Sequence, residues 1–324
     1  MHEFALIERI RARSRGRTDV ALGIGDDAAL LQPALGEQLA VTMDTLNEGV
    51  HFPPESTPFD IGWKTLAVNL SDLAAMGARP AWCTLSLSLP QVDAHWLDGF
   101  ADGFFTLADL HAIALVGGDT TRGPLSLSLT AMGRVDAGQA LRRDGARHGD
   151  DIWVTGTLGD AAAALRLWQA GQLAVAAEAE ADSEPLRLRL QRPVPRVQAG
   201  QRLVGLASAA IDVSDGLLAD LGHVCARSRV GAQLWVDALP ASSALCARCT
   251  VEERRVVQCA GGDDYELCFT APRQYRQAVE QALQFAEVAV TRIGQIVEGD
   301  AVVVLDAQGA IWTPPRTGYQ HFAT

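Results

Sequence analysis

The segment 83–89, CTLSLSL, alternates strictly between apolar and polar residues, and this constrains the fold more than any other stretch. A period of two predicts a β-strand with one buried face. The runs LAVTM (39–43), IALVGG (113–118) and LSLSLTAMGRV (125–135) predict three further strands. The first half of the chain is therefore expected to contain a sheet.

Apolar residues at helical spacing predict a helix from about Asp60 to Gly77, and a second helix is expected after Pro90, from roughly Ala94 to Leu110. Residues 136–151, DAGQALRRDGARHGDD, are rich in glycine and charge and predict a join between two units. The alternation of strand and helix restarts at IWVTG (152–156). A chain of 324 residues, 48% of them hydrophobic, suits a mixed α/β fold with two domains.

The second half is predicted to contain the strands AAIDV, AQLWVD, YELCF and AVVVLD, with a helix from Asp215 to about Arg227. The segment 176–196 is first acidic and then basic with prolines. Such a charge run predicts a solvated helix and a connector.

Composition excludes several classes of function. The formal net charge of -12 argues against a nucleic-acid groove, although divalent cations would still permit phosphate substrates. Lys64 is the only lysine and stands in IGWKTLAV, so there is no P-loop, and the protein-kinase motifs are absent too. The chain shows neither a signal-peptide core nor a long uncharged run, which predicts a cytoplasmic protein without membrane contact.

The six cysteines are scattered, as expected of reduced thiols. Cys246 and Cys249 form one C-x-x-C, CARC, without a second pair or a nearby histidine. A zinc or redox site there remains an alternative to ordinary thiols.

Aspartates recur at the ends of apolar runs and beside glycines, where α/β folds place ligand-binding groups. They are Asp26, Asp27, Asp44, Asp119, Asp212, Asp215, Asp263 and Asp264, joined by Asp72 in a helix. Taken singly, Asp215 or Ser214 could cap a helix and Asp119 could form a turn. Six sites with one local pattern instead favour a shared site for several Mg²⁺ ions and a polyphosphate ligand.

The motifs GIGDDAALL, DTLNEGVHF, KTLAVNLSDLAAMGA, LVGGDTTRGPLSLSLTAMGRV, VTGTLGDAAAAL, AIDVSDGLLADLGH, GGDDYELCF and GYQHF occur in this order over nearly the whole chain. Together they resemble the thiamine-monophosphate kinases, in the aminoimidazole ribonucleotide synthetase-like superfamily. The resemblance implies the two-domain α/β (α+β) fold of that superfamily. It also implies direct in-line, Mg²⁺-assisted transfer of the γ-phosphate of ATP onto thiamine monophosphate, within thiamine diphosphate biosynthesis.

In the implied arrangement, residues 1–137 form the ATP- and magnesium-binding domain, whose mixed sheet with helices makes a homodimer contact. Residues 148–324 form a C-terminal α/β domain that contributes metal ligands and thiamine monophosphate contacts. No nucleic acid or membrane takes part.

The resemblance also implies roles for individual residues. The implied magnesium ligands are Asp27, Thr42, Met43, Asp44, Asp72, Asp119, Asp212 and Asp215. Five of them, Asp27, Asp44, Asp72, Asp119 and Asp212, would act in catalysis through the metal, without a covalent nucleophile. The implied ATP contacts are Gly118, Asp119, Arg143 and Ser214; the implied thiamine monophosphate contacts are His51, Asp263 and Tyr319.

Two of these positions depart from the family's pattern. Met43 stands in place of a threonine and could offer only its backbone carbonyl, and Asp263 stands in place of a glutamate and is shorter. Without the resemblance, His51 could be a loop histidine, Tyr319 a packing residue and Lys64 a neutraliser of nearby carboxylates.

Other functions remain open from the sequence. One is another member of the same superfamily, although a selenophosphate synthetase would want a reactive cysteine near the N-terminus and the first cysteine here is Cys83. Others are a non-catalytic Ca²⁺- or metabolite-binding protein, despite the absence of an EF-hand loop, and a metal-dependent phosphatase.

Overall fold

A computed structural model describes residues 3–175 and 184–319. These residues form two compact units. The first holds the described chain up to Leu73 together with Ala78–Gly138, and the second holds Ala74–Gly77 and the described chain from Gln139 onward. No helix in the described ranges is both long enough and apolar enough to span a bilayer.

The first unit is built on a four-stranded mixed sheet of order β3-β6-β4-β5, in which only β4 and β5 run parallel. A two-stranded ribbon, β1-β2, is separate from it. The elements are α1 (Glu3–Arg11), β1 (Val20–Leu22), β2 (Leu30–Leu31), β3 (Glu37–Asn47), α2 (Pro58–Ala75), β4 (Arg79–Leu89), α3 (Ala94–Leu110), β5 (Ala114–Arg122) and β6 (Ser126–Asp136).

Helices α2 and α3 pack closely because the glycines at their contact carry no side chain. A Cβ on Gly62 would lie 2.0 Å from the carbonyl oxygen of Phe100, and a Cβ on Gly103 would lie 1.9 Å from that of Phe59. Asp93 caps α3 by accepting the amides of the first turn. The predicted helix from Ala94 to Leu110 is confirmed.

The second unit contains a six-stranded sheet of order β12-β9-β11-β7-β10-β8, antiparallel except for the β12–β9 pair. Its elements are β7 (Asp151–Thr155), α4 (Asp160–Gln169), α5 (Glu184–Gln191), α6 (Val197–Leu203), β8 (Ala209–Asp212), α7 (Leu217–Ser228), β9 (Gly231–Trp235), α8 (Ser243–Arg248), α9 (Val251–Ala260), β10 (Leu267–Ala271), α10 (Arg276–Phe285), β11 (Val290–Val297) and β12 (Val302–Leu305). Short 3₁₀ turns span Val236–Ala238 and Arg273–Tyr275.

The prediction of a solvated helix in 176–196 is wrong where the structure describes that segment; residues 176–183 lie outside the described ranges. Helix α5 buries Leu186 and Leu190 at 0% and 2% exposure, in the apolar cluster that also holds the alanines of α4. Leucines four residues apart lie on one helix face and form a stripe for burial. Charge on the remaining face concealed this stripe at the sequence level.

Candidate active site

Strand β3 and helix α2 bring three of the predicted metal-binding residues together in the first unit. Thr42 and Asp44 are two residues apart on β3 and therefore share one face of the sheet. The hydroxyl Oγ1 of Thr42 donates a hydrogen bond to Oδ2 of Asp72 on α2. Burial, together with the charge of Asp72, raises the pKa of Asp44 to about 6. Two carboxylates and a hydroxyl thus lie close together, and their negative charge suits a hard cation.

Met43 lies between Thr42 and Asp44 and points to the opposite face of β3, where its side chain is exposed. Its thioether therefore cannot join the oxygen ligands of its neighbours. Only the backbone carbonyl remains as a ligand atom at this position, as the sequence suggested.

Asp119 and Gly118 lie on β5, at the other edge of the same sheet. The strand register aligns Asp44 with Leu129, Leu85 and Gly118 across the four strands. Three strand spacings of about 4.8 Å separate Asp44 from Gly118, roughly 14 Å in all. The structure therefore does not bring Asp119 into the Asp44–Asp72 pair. The reading of Asp119 as a turn residue is wrong, because β5 continues through Thr120 and Thr121.

Asp27 is exposed in the loop between β1 and β2. Its amide donates to Oδ1 of Asp26 at 2.8 Å, so Asp26 shapes the turn that presents Asp27. Across residues 3–175 and 184–319, no three acidic, histidine or cysteine side chains are close enough to hold one metal ion alone. Any Mg²⁺ here would complete its six oxygen ligands with water or substrate phosphate, which is its usual habit.

Gly118 and Asp119 border an apolar pocket at the β5 edge. A Cβ at Gly118 would lie 1.9 Å from the carbonyl oxygen of Leu85, so only glycine allows the two strands to run this close. The pocket is partly open to solvent. It is lined by Ile7, Ile10, Ile24, Leu85, Leu87, Leu115, Gly117, Gly118, Asp119 and Thr120.

In the second unit, backbone hydrogen bonds join four predicted site residues in one cluster. The amide of Asp263 donates to the carbonyl of Ser214 at 2.8 Å, and the amide of Tyr319 donates to the carbonyl of Asp215 at 3.0 Å. Tyr265 extends the pairing by donating its amide to Val213 at 2.8 Å. The loop after β8, the loop before β10 and the last described residue therefore lie side by side. Asp212, at the end of β8, pairs with Leu267 and is 3% exposed.

Asp220 stabilises this cluster through hydrogen bonds to its backbone, a role that was not predicted from the sequence. Its Oδ2 accepts the amides of Ser214, Asp215 and Gly216 at 3.1, 3.1 and 3.0 Å. Burial raises the pKa of Asp220 to about 7, although these amides act in the opposite direction. The N-cap of α7 is Gly216, which has no side chain to cap with, so the capping readings of Ser214 and Asp215 are both wrong. Both side chains are thereby left for other roles.

Two strained residues flank Asp264, the second member of the Asp263–Asp264 pair. Asp263 and Tyr265 have φ of 67° and 50°, in the left-handed region that is costly for residues other than glycine. The hydroxyl of Tyr265 donates to Oδ1 of Asp263 at 3.0 Å. Asp264 instead turns inward and accepts the amide of Gly159 at 2.9 Å. The two adjacent aspartates therefore differ: Asp264 is structural, and Asp263 is held at the loop surface.

Glu266 anchors the same loop to the core. It is fully buried, and its carboxylate accepts two hydrogen bonds from Arg196 at 2.6 Å each, one from Arg189 at 2.8 Å and one from Thr155 at 2.6 Å. Burial opposes its ionisation, but the two arginines outweigh burial and hold the pKa of Glu266 below its usual value. Arg189 comes from α5, so its contact with Glu266 connects that helix to the loop before β10.

Arg143 is not brought to this cluster. It is exposed, and its carbonyl accepts the hydroxyl of Ser228 at 2.8 Å, at the C-terminal end of α7. Ser214 and Asp215 precede the other end of that 12-residue helix, about 18 Å away along its axis.

Comparison with known proteins identifies the family. Residues 25–135 match the AIR synthase related protein N-terminal domain, and residues 147–306 match the AIR synthase related protein C-terminal domain. A thiamine-monophosphate kinase of Salmonella typhimurium is 48% identical over 325 residues, covering 99% of this chain and 98% of that protein. The chain belongs to the thiamine-monophosphate kinase family.

Solved structures of the thiamine-monophosphate kinase family agree with this. The enzyme from Stenotrophomonas maltophilia K279a is 64% identical with a TM-score of 0.89, covering 94% of this chain and 96% of that one. AaThiL complexed with AMPPCP and TMP is 30% identical with a TM-score of 0.77, covering 99% of this chain and 97% of that one. The predicted fold class, α/β with the two-domain architecture of aminoimidazole ribonucleotide synthetase, is confirmed.

The raised pKa of Asp44 gives a test that needs no assay of activity. A rise from 3.8 to about 6 costs the folded, metal-free protein about 3 kcal/mol at pH 8. This cost is small at pH 4, builds up as pH rises from about 4 to 6, and is complete above that range. Asp44→Asn removes the titrating group. Measured by urea unfolding without divalent cations, the stability gained by Asp44→Asn should be about 2 kcal/mol larger at pH 8 than at pH 4. A stability gain in Asp44→Asn that does not depend on pH would contradict the raised pKa of Asp44.

Proposed function

We propose that this protein transfers the γ-phosphate of ATP onto the phosphate of thiamine monophosphate, producing thiamine diphosphate and ADP. The observation that carries the proposal is the likeness over nearly the whole chain to a family member complexed with AMPPCP and TMP. The convergence of Asp44 and Asp72, whose negative charge favours a bound cation, supports the same chemistry.

The residues present fit several Mg²⁺ ions, since the donor set consists of oxygen atoms and one carboxyl has a raised pKa. The residues proposed to hold them are Asp27, Thr42, Met43 through its carbonyl, Asp44, Asp72, Asp119, Asp212 and Asp215. When bound, the ions would neutralise charge on the transferring phosphoryl group.

The remaining roles concern binding and orientation. We propose that Gly118, Asp119, Arg143 and Ser214 contact ATP, with the aliphatic pocket beside Gly118 receiving the adenine base. His51, Asp263 and Tyr319 are the proposed contacts to thiamine monophosphate. A carboxylate at 263 suits the positive thiazolium ring, and the hydrogen bond from Tyr265 fixes its direction. An oxygen of the acceptor phosphate attacks the γ-phosphorus in line as the bond to the β,γ-bridging oxygen breaks.

In this proposal, residues 1–137 form the ATP- and magnesium-binding domain, and residues 148–324 contribute further metal ligands and the thiamine monophosphate contacts. The proposed location is the cytoplasm, with no nucleic acid or membrane as partner. The six free cysteines support a reducing compartment.

We also propose a homodimer formed through the sheet of the first unit. Leu39, Val41 and Met43 expose 46%, 62% and 62% of their surface on one face of β3, an edge strand. An apolar stripe on an open edge normally has a partner. Light scattering should give twice the 34.5 kDa chain mass, and Val41→Glu should shift it towards the monomer.

The deciding experiment supplies the purified protein with ATP, Mg²⁺ and thiamine monophosphate, and separates the products by chromatography. Thiamine diphosphate and ADP should appear in equal amounts. Inorganic phosphate without thiamine diphosphate would indicate a phosphatase instead. Uptake of Ca²⁺ without nucleotide, and no turnover, would indicate a binding protein.

A further inference from the structure

Lys64, the only lysine of the chain, is 1% exposed on α2, although a buried ammonium group costs several kcal/mol in lost hydration. Its Nζ donates to the carbonyl oxygen of His51 at 2.9 Å. From the sequence, Lys64 could neutralise nearby carboxylates. That role does not account for this hydrogen bond, because its acceptor is the backbone of a proposed substrate-binding residue.

Hydrogen bonds to its backbone and to its ring hold His51 in the loop after β3. Besides the bond from Lys64, its amide donates to the carbonyl of Asn47 at 3.0 Å, and its ring Nδ1 accepts the amide of Asn47 at 3.0 Å. Because Nδ1 is an acceptor, the neutral ring carries its proton on Nε2. The ring therefore has a defined donor atom and a defined direction.

We infer that Lys64 is a positioning residue for thiamine monophosphate: it holds the His51 backbone so that the Nε2–H of the ring donates to a phosphate oxygen of that substrate. The inference rests on the proposed function, in which His51 contacts thiamine monophosphate. Lys64 itself does not touch the substrate. Its charge strengthens the hydrogen bond to the loop, since charge-assisted bonds are roughly twice as strong as neutral ones.

The first experiment compares Lys64→Met, which removes the donor, with Lys64→Gln, which keeps one. Lys64→Met should raise the KM for thiamine monophosphate about tenfold, equivalent to about 1.4 kcal/mol, with kcat and the KM for ATP changed less than about threefold. Lys64→Gln should recover part of the loss. Equal rises in both KM values would overturn the inference.

A double-mutant cycle with His51→Ala separates positioning from general stability. His51→Ala alone should raise the KM for thiamine monophosphate and not that for ATP. In the His51→Ala background, Lys64→Met should have no further effect on this KM, because the ring that Lys64 positions is already absent. A full tenfold loss there would show that Lys64 acts independently of His51.

If Lys64→Met does not fold, the single lysine still provides a probe. Protein labelled with ¹⁵N-lysine has one side-chain amine resonance, which should shift when thiamine monophosphate is added. The shift should be absent in His51→Ala, and an unchanged resonance in the wild type would overturn the inference. Failure of the proposed function is distinct, because the wild type would then form no thiamine diphosphate.

Discussion

Asp72→Asn should reduce turnover by several orders of magnitude and leave the fold intact. The side chain accepts a hydrogen bond from Thr42 and lies beside Asp44, so it stands among the proposed magnesium ligands. Asparagine keeps the shape but removes the charge on which metal binding depends. The fold should survive because the packing of α2 comes from Leu66, Leu70 and Leu73, not from Asp72.

The measurement is kcat at saturating ATP, thiamine monophosphate and Mg²⁺, with melting temperature recorded alongside. Asp136→Asn is the matched control in the same unit, since Asp136 ends β6 and pairs with Arg79 at the surface. The control should keep its turnover within about twofold, as expected of an exposed ion pair. Near-normal turnover in Asp72→Asn would remove Asp72 from the proposed metal ligands.

The regular elements were predictable where periodicity was long and clean. Strand β4 follows from it directly, because one buried face imposes one period on the sequence, whereas β3 was predicted only over residues 39–43. Strand β11, VTRIGQIV, was missed because Gly294 and a register shift interrupt its alternation. The site aspartates were expected past strand ends, yet Asp44 and Asp119 lie inside β3 and β5. The sequence shows where an apolar run lies. It does not show where the neighbouring strands stop forming hydrogen bonds with that run, and this sets the end of a strand.

Asp220 shows what sequence reasoning overlooks in the site. A carboxylate in the first turn of a helix is usually explained by the helix dipole and then ignored. The available signal was its position: Asp220 lies on the same face as Leu217, Leu221 and Val224, which are all buried. A charge within an apolar stripe must have partners, and here the partners are the amides of the preceding loop.

Asp220→Ala should therefore lower both stability and turnover. The variant leaves three amides of a largely buried loop without their acceptor, which should cost roughly 2–4 kcal/mol in the free energy of unfolding. Turnover should fall about a hundredfold, because the backbone of Ser214 and Asp215 sets the direction of two proposed site side chains. Urea unfolding and kcat measure the two effects separately.

Asp220→Asn is the matched variant, since its amide oxygen keeps an acceptor in the same place. It should retain most of the stability and most of the turnover, even though the charge is gone. If both variants lost turnover equally, the charge of Asp220 would matter rather than its hydrogen bonds, and its role would be electrostatic. If Asp220→Ala lost stability alone, the loop of Ser214 and Asp215 would reach its active geometry without Asp220.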